Sequence, residues 1–357
     1  MIKSLNGLRF VFAVLICCGH YIFTTPYAGE MAGKALFFDT TAAVTFFFIL
    51  SGFSLSCGFA EKMKNDEFKP VPFLKKRFFK LYPMHIFCLI IILLLFAKNY
   101  VWNKETVRNL ILHIFLLHSY VPDVNCYFAF NRVSWYLSTL FSLYVFFAFF
   151  FKKIFKSRHP MLFLAVLSGL LSVALVLFAH FQKAYDDFVF NVFPPTRLLH
   201  FFIGAWLFLL YQKLKTYDFK TYQLTASEII SIAVLIFSWF IRKHIPIKYQ
   251  YVFLYAPACA LIILVFALGD NKGIFSRIAG SKLLVSLGSV SFSFYMIHLF
   301  CQNLACYIVP AQFYSEKPFL FFAFYLLFTT CAAYVMDFLL VRRITTFITK
   351  KRANHEA

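Results

Sequence analysis

The chain is predicted to be an all-α integral membrane protein: a bundle of about ten transmembrane helices plus one re-entrant or interfacial helix, with both termini cytoplasmic. Three observations predict this. Hydrophobic residues make up 61% of the 357 and charged residues only 14%. Apolar runs long enough to cross ~30 Å of hydrocarbon recur along the whole length. Basic residues gather in alternate loops, the asymmetry that orients membrane proteins. The 52 Phe would leave a soluble protein with large exposed apolar patches; in lipid they form the outer surface.

The spans are read at 7–24, 40–60, 83–101, 134–151, 160–181, 197–213, 226–242, 250–269, 284–309 and 317–341. The first is not a cleavable signal, because it carries Arg9 and His20, lacks a small-residue cleavage site and is followed by further spans. An apolar piece at 107–121 has flanking charges and two histidines and is too short to cross, so it is read as re-entrant or interfacial. Loop charge supports this layout. Lys62 to Lys80, Lys152 to Arg158, Lys213 to Lys220, Lys272 to Lys282 and the tail from Arg342 to Arg352 hold most of the 35 Lys and Arg, whereas the 310–316 loop has none. Counting 107–121 as a span would flip every later loop and reverse the bias.

One membrane domain, 1–341, and a short basic cytoplasmic tail, 342–357, account for the chain; there is no soluble domain, long linker, low-complexity tract or tandem repeat. The net charge of +20 then reflects membrane orientation, and no nucleic-acid partner is expected. The nine cysteines are mostly isolated in apolar segments without metal-ligand or disulfide spacing, so no metal site is expected.

Ionisable side chains within a bilayer cost several kcal/mol and are functional suspects for that reason. Arg9 and His20 lie eleven residues apart, about three turns, and so share one helix face at a separation of roughly 16 Å. Arg9 is read at the membrane edge and His20 near mid-bilayer, where Gly19 permits a close neighbour. Imidazole suits general-base work near neutral pH; the plainer reading is a hydrogen-bonded core histidine. His298, mid-span in SLGSVSFSFYMIHLF, carries the same two readings.

FLKKRFFKLYP, 73–83, is read just before the third span and groups Lys75, Lys76, Arg77 and Lys80 beside aromatic rings. Such a cluster can hold the phosphates of a nucleotide-like donor, or merely form the positive flank against anionic headgroups. In TFFFILSGFSLSCG, 45–58, the small residues Ser51, Gly52, Ser54, Ser56 and Gly58 favour close helix packing. Ser51 as a nucleophile has no base fixed by spacing. Arg197, behind Pro194 and Pro195, either snorkels or binds an anionic or sugar ligand. Trp135 is either an interfacial anchor or a sugar-stacking platform.

Together these pieces resemble acyltransferase family 3, integral membrane O-acyltransferases of bacterial surface glycans. The resemblance runs from residue 4 to about 340 through LNGLR followed by His20, FFFILSGFSLS, KRFFKLYP, SWYLSTLFSLY, RLLHFFIGAW and LGSVSFSFYMIHLF, in that order. There are departures. The family's Arg-x-x-Arg pair is here Arg77-x-x-Lys80, which keeps the charge but loses a bidentate fork. Thr45 stands where an acidic residue is often found, and a glutamate common after the Trp motif is absent from 135–144.

The resemblance implies a membrane O-acetyltransferase that draws on cytoplasmic acyl-CoA, acetyl-CoA foremost, with no permanently bound cofactor. By that resemblance His20 and Arg9 are catalytic, and Arg77, Lys80 and Lys76 bind the acyl-CoA. Trp135, Arg197, Tyr295, His298 and Ser51 are acceptor-side or structural-functional. His20 is the general base on an acceptor hydroxyl or assists a transient acyl intermediate. The acceptor is a cell-surface polysaccharide, lipopolysaccharide O-antigen in the first instance, at the inner membrane; a periplasmic glucan, peptidoglycan or small metabolite are the alternatives. Some members carry an extracytoplasmic hydrolase-like domain. None is read in this chain, so transfer is expected to finish within the membrane domain or with a partner. The rival class is a polytopic transporter or lipid-linked glycan flippase, for which Asp337 is the clearest membrane carboxylate, although no pair of related halves with broken helices is evident. A non-catalytic assembly subunit would not require Arg9, His20 and Arg77.

Overall fold

Helices begin where a backbone N–H finds a partner or none is needed, and the first helix shows this. In the computed structural model, which describes residues 2–24, 39–96, 98, 100–181 and 186–343, α1 (Lys3–Thr24) opens with the Asp270 carboxylate accepting from the backbone N–H groups of Lys3 and Ser4 at 3.2 and 2.8 Å. This borrowed cap extends the helix ahead of the apolar run. Arg9 therefore lies about two turns inside α1, a correction to its reading at the mouth.

The membrane bundle continues with α2 (Thr40–Lys64), α3 (Pro70–Phe96), the short α4 (Lys104–Ile114), α5 (Trp135–Phe155), α6 (Pro160–Phe181), α7 (Pro194–Leu214), α8 (Thr221–Ile241) and α9 (Ala256–Leu268). It closes with α10 (Ile274–Ala279), α11 (Lys282–Ser289), α12 (Ser291–Ile308) and α13 (Pro318–Met336). Among the described residues nine helices are long and apolar enough to cross a membrane, and a bent pair brings the total to ten. No strand occurs among them.

Two boundaries differ from the sequence expectation. The third span starts at Pro70, so the basic run 75–80 lies within α3, and Pro83, the first residue of the expected span, sits inside the helix. Transmembrane helices tolerate proline where neighbours satisfy the freed backbone groups. The stretch 284–309 is not one straight span: it breaks at Val290, with α11 and α12 inclined by 67°. The break lets α11 lie against the first turns of α1. Asn6 Nδ2 donates to the Val285 carbonyl at 2.8 Å, and a Cβ at Gly7 would collide with the Ala279 carbonyl. Much of the LNGLR signature is thus docking chemistry, and Arg9 is left for another purpose.

α2 and α7 also cross with their backbones in close approach. Gly52 faces the Phe201 carbonyl and Gly204 faces the Ile49 carbonyl, so a Cβ on either would strike the opposite backbone. Gly58, grouped with Gly52 by sequence, has open space around it and takes no part. α4 is far shorter than a span, consistent with reading 107–121 as non-crossing. The larger of two apolar clusters among the described residues runs from Leu5 on α1 to Val341. Of the basic tail, 344–357 lies outside the described residues.

Candidate active site

Five helices converge on a cavity of about 120 Å³. α1 contributes Arg9 and Ile16, and α3 contributes Arg77, Lys80 and Leu81. Side chains spaced by three, four or seven residues lie on one helix face, which is why these positions meet. α2 adds Phe47, Ser51 and Ser54, α5 adds Tyr136, Leu140 and Tyr144, and α12 adds Ser291 and Tyr295. The charge is one-sided: among the described residues three cations and no carboxylate line the space. The Arg77 guanidinium rests over the rings of Phe73 and Tyr144, 5.4 and 5.6 Å from their centroids. Aromatic faces hold a cation in place without neutralising it. Arg9 Nε is buried with no hydrogen-bond partner among the described residues. An anion entering here would meet forked donors already oriented. Lys76, expected with this group, is exposed and is not among the lining residues.

One turn beyond Ile16 and Tyr295, the furthest lining residues of α1 and α12, stand His20 and His298. His20 Nδ1 and His298 Nε2 lie 2.8 Å apart, with ring planes within 9°. The second nitrogen of His298, Nδ1, lies 2.5 Å from the carbonyl oxygen of Tyr295. His298 is 1% exposed while His20 is only partly buried, so the accessible member of the pair is His20. The structure therefore strings Arg9, the cationic cavity and the histidine pair along one face of α1.

The remaining expected residues fall elsewhere or in quieter roles. The Ser51 hydroxyl lines the cavity but donates to the Phe47 carbonyl at 2.7 Å, one turn back, so its proton is not directed to a base. Trp135 is buried and is not among the residues lining the cavity, whereas its neighbour Tyr136 is. Arg197 is fully buried away from the cavity. Its guanidinium donates to the Asn191 carbonyl and side chain and to the Tyr251 carbonyl at 2.7–2.8 Å, beneath the Phe48 ring at 5.3 Å. It ties together the irregular helical entries to α7 and α9. Tyr295 has three roles: it lines the cavity, its hydroxyl donates to the Val133 carbonyl at 2.7 Å, and its carbonyl receives His298.

Tyr136 and Tyr144 are site residues that the sequence reading passed over. Their i, i+8 spacing with Leu140 between them in SWYLSTLFSLY is a one-face signal that could have found them. The pairing of His20 with His298, 278 positions apart, carried no such signal.

A family model described as an acyltransferase domain matches residues 2–338. The curated Acyltransferase MdmB of Streptomyces mycarofaciens is 26% identical over 315 residues, covering 83% of this chain and 78% of that protein. No solved structure matches.

Proposed function

The chain belongs to acyltransferase family 3, and from that premise we propose that it moves an acetyl group from cytoplasmic acetyl-CoA to a hydroxyl of a cell-surface polysaccharide. The observation that carries the donor reading is the cavity, lined among the described residues by three cations and no carboxylate, which suits the phosphates of coenzyme A. Arg9 and Arg77 would grip these phosphates with their forks and Lys80 as a point charge. The pantetheine arm would run along the Arg9-to-His20 face, and the roughly 16 Å between those residues is comparable to its reach.

His20 then receives the proton of the acceptor hydroxyl as the oxygen attacks the thioester carbonyl. The carbon–sulfur bond breaks, and the proton held on His20 passes to the departing sulfur, which leaves as the free thiol. The acceptor we favour is lipopolysaccharide O-antigen sugar at the inner membrane, carried over from the family's surface-glycan members. A carrier reading has less support, because among the described residues the cavity lining holds cations suited to phosphates and no carboxylate.

Transfer of radiolabelled acetyl from acetyl-CoA into the polysaccharide fraction of membranes tests the reading. Label with the wild-type chain, reduced by about 10²- to 10⁴-fold with His20→Ala, is the expected result. Label that persists undiminished in the variant removes His20 as the base; no label in either removes the donor or the acceptor.

A further inference from the structure

The hydrogen-bond chain through the histidine pair has a direction, and counting protons along it fixes that direction. A carbonyl oxygen has no proton to give. At 2.5 Å from the Tyr295 oxygen, His298 Nδ1 must therefore be the donor. A neutral imidazole carries one N–H, which leaves a lone pair on His298 Nε2. That lone pair lies 2.8 Å from His20 Nδ1, so Nδ1 of His20 carries the proton. The basic lone pair of His20 is then on Nε2, the nitrogen pointing away from His298. The opposite polarity, with His298 as base and His20 as its support, would set a lone pair against the Tyr295 oxygen at hydrogen-bond distance.

We infer that His298 is a positioning residue for acyl transfer: anchored by the Tyr295 carbonyl, it holds His20 in the Nδ1–H tautomer and so presents Nε2 to the acceptor hydroxyl. This rests on the reading of His20 as general base. When Nε2 takes the hydroxyl proton, the resulting imidazolium keeps its Nδ1–H on the neutral His298 Nε2, which accepts it without itself changing protonation state. The same orienting task is performed by a carboxylate in hydrolase triads. A neutral ring does it here with no anion to desolvate within the bundle.

Three variants of the full chain in native membranes test this, with radiolabelled acetyl-CoA as donor and label in the polysaccharide fraction as readout. His298→Leu removes the acceptor for Nδ1–H and is expected to slow the maximal rate by about a hundredfold while donor KM stays within about twofold. His298→Gln restores an acceptor oxygen and is expected to recover at least about a tenth of wild-type rate. Because His298 acts only through His20, adding His298→Leu to His20→Ala is expected to cause no further loss. Melting of each solubilised variant at the wild-type temperature establishes that it is folded.

His298→Leu at wild-type rate beside an inactive His20→Ala would overturn the inference and leave the base assignment standing. A folded His298→Gln as slow as His298→Leu, or a double variant slower than His20→Ala, would also overturn it. Full activity in His20→Ala would instead strike the underlying reading.

Discussion

Two groups of buried histidines serve this molecule in opposite ways. In the pair, His20 meets His298 nitrogen to nitrogen at 2.8 Å. In the cluster at the 104–120 segment, the rings of His113 and His118 stack at 3.7 Å, but the nitrogens turn to backbone carbonyls and to the Ser134 hydroxyl. His85 Nε2 donates to the His113 carbonyl at 2.8 Å and His113 Nε2 to the Cys126 carbonyl at 2.9 Å. A ring proton held on a carbonyl is committed to holding a loop in place; a nitrogen bonded to another imidazole remains exchangeable. Both groups contain fully buried rings, so it is the partner that separates function from architecture.

The comparison is broken most easily at its two centres. His20→Ala is expected to reduce acetyl transfer by about 10²- to 10⁴-fold with an unchanged melting temperature. His85→Ala should do the reverse, costing about 1 kcal/mol through loss of the hydrogen bond to the His113 carbonyl, which still accepts from the Leu116 N–H, while the folded fraction keeps its specific activity. Equal loss of specific activity in both, with both folded, would erase the distinction. Next in size is the cavity. Arg9→Gln and Arg77→Gln each remove a charged fork, so donor KM should rise by about tenfold or more, with a smaller change in maximal rate. A fall in maximal rate at unchanged KM would mean the cations act on the transition state and do not hold the donor.

pH sharpens the contrast further. Burial lowers the His113 pKa from 6.5 to about 3, with its Cys126 hydrogen bond opposing the shift. The ring therefore stays neutral in the fold while the unfolded chain protonates. The stability tied to this group is complete above about pH 6.5 and is lost as pH falls towards about 3, with a slope of at most about 1.4 kcal/mol per pH unit. His113→Gln keeps a donor for the Cys126 carbonyl but cannot titrate, so its melting temperature should be flatter than wild type across that window. An identical pH dependence would place the sensitive group elsewhere.

Much of the architecture was legible in the sequence because lipid demands long apolar runs, and these stand out without any tertiary information. Spans such as 160–181 coincide with α6. Boundaries failed where a distant residue intervened: Asp270 lengthens α1, and docking of α11 on Asn6 and Gly7 breaks the 284–309 run. Arg9 and His20 shared a face by helical arithmetic alone, and Arg77 and Lys80 drew notice as a charge cluster. What could not be read was which partner each would find. Arg197 looks like an external ligand-binding cation until Asn191 and Tyr251 are seen to occupy its donors, and His298 gains its meaning only from a ring on another helix.

The smallest effect concerns the basic run itself, where sequence offers four cations and geometry selects two. Arg77, Lys80 and Leu81 all line the cavity, and at about 100° per residue they cover an arc of roughly 100° on α3. Lys76 falls about 40° outside that arc and Lys75 farther still, and both are exposed. Lys76→Ala is therefore expected to leave donor KM within about twofold of wild type, as for an ordinary exposed substitution, where Arg77→Gln does not. The decisive measurement is donor KM at two salt concentrations. A cation acting only through its long-range field would lose its influence as salt rises, because exposed charges are screened over about 10 Å at 0.1 M. A salt-independent rise in KM for Lys76→Ala, equal to that of Arg77→Gln, would mean that the phosphates spread beyond the cavity onto the outer face of α3.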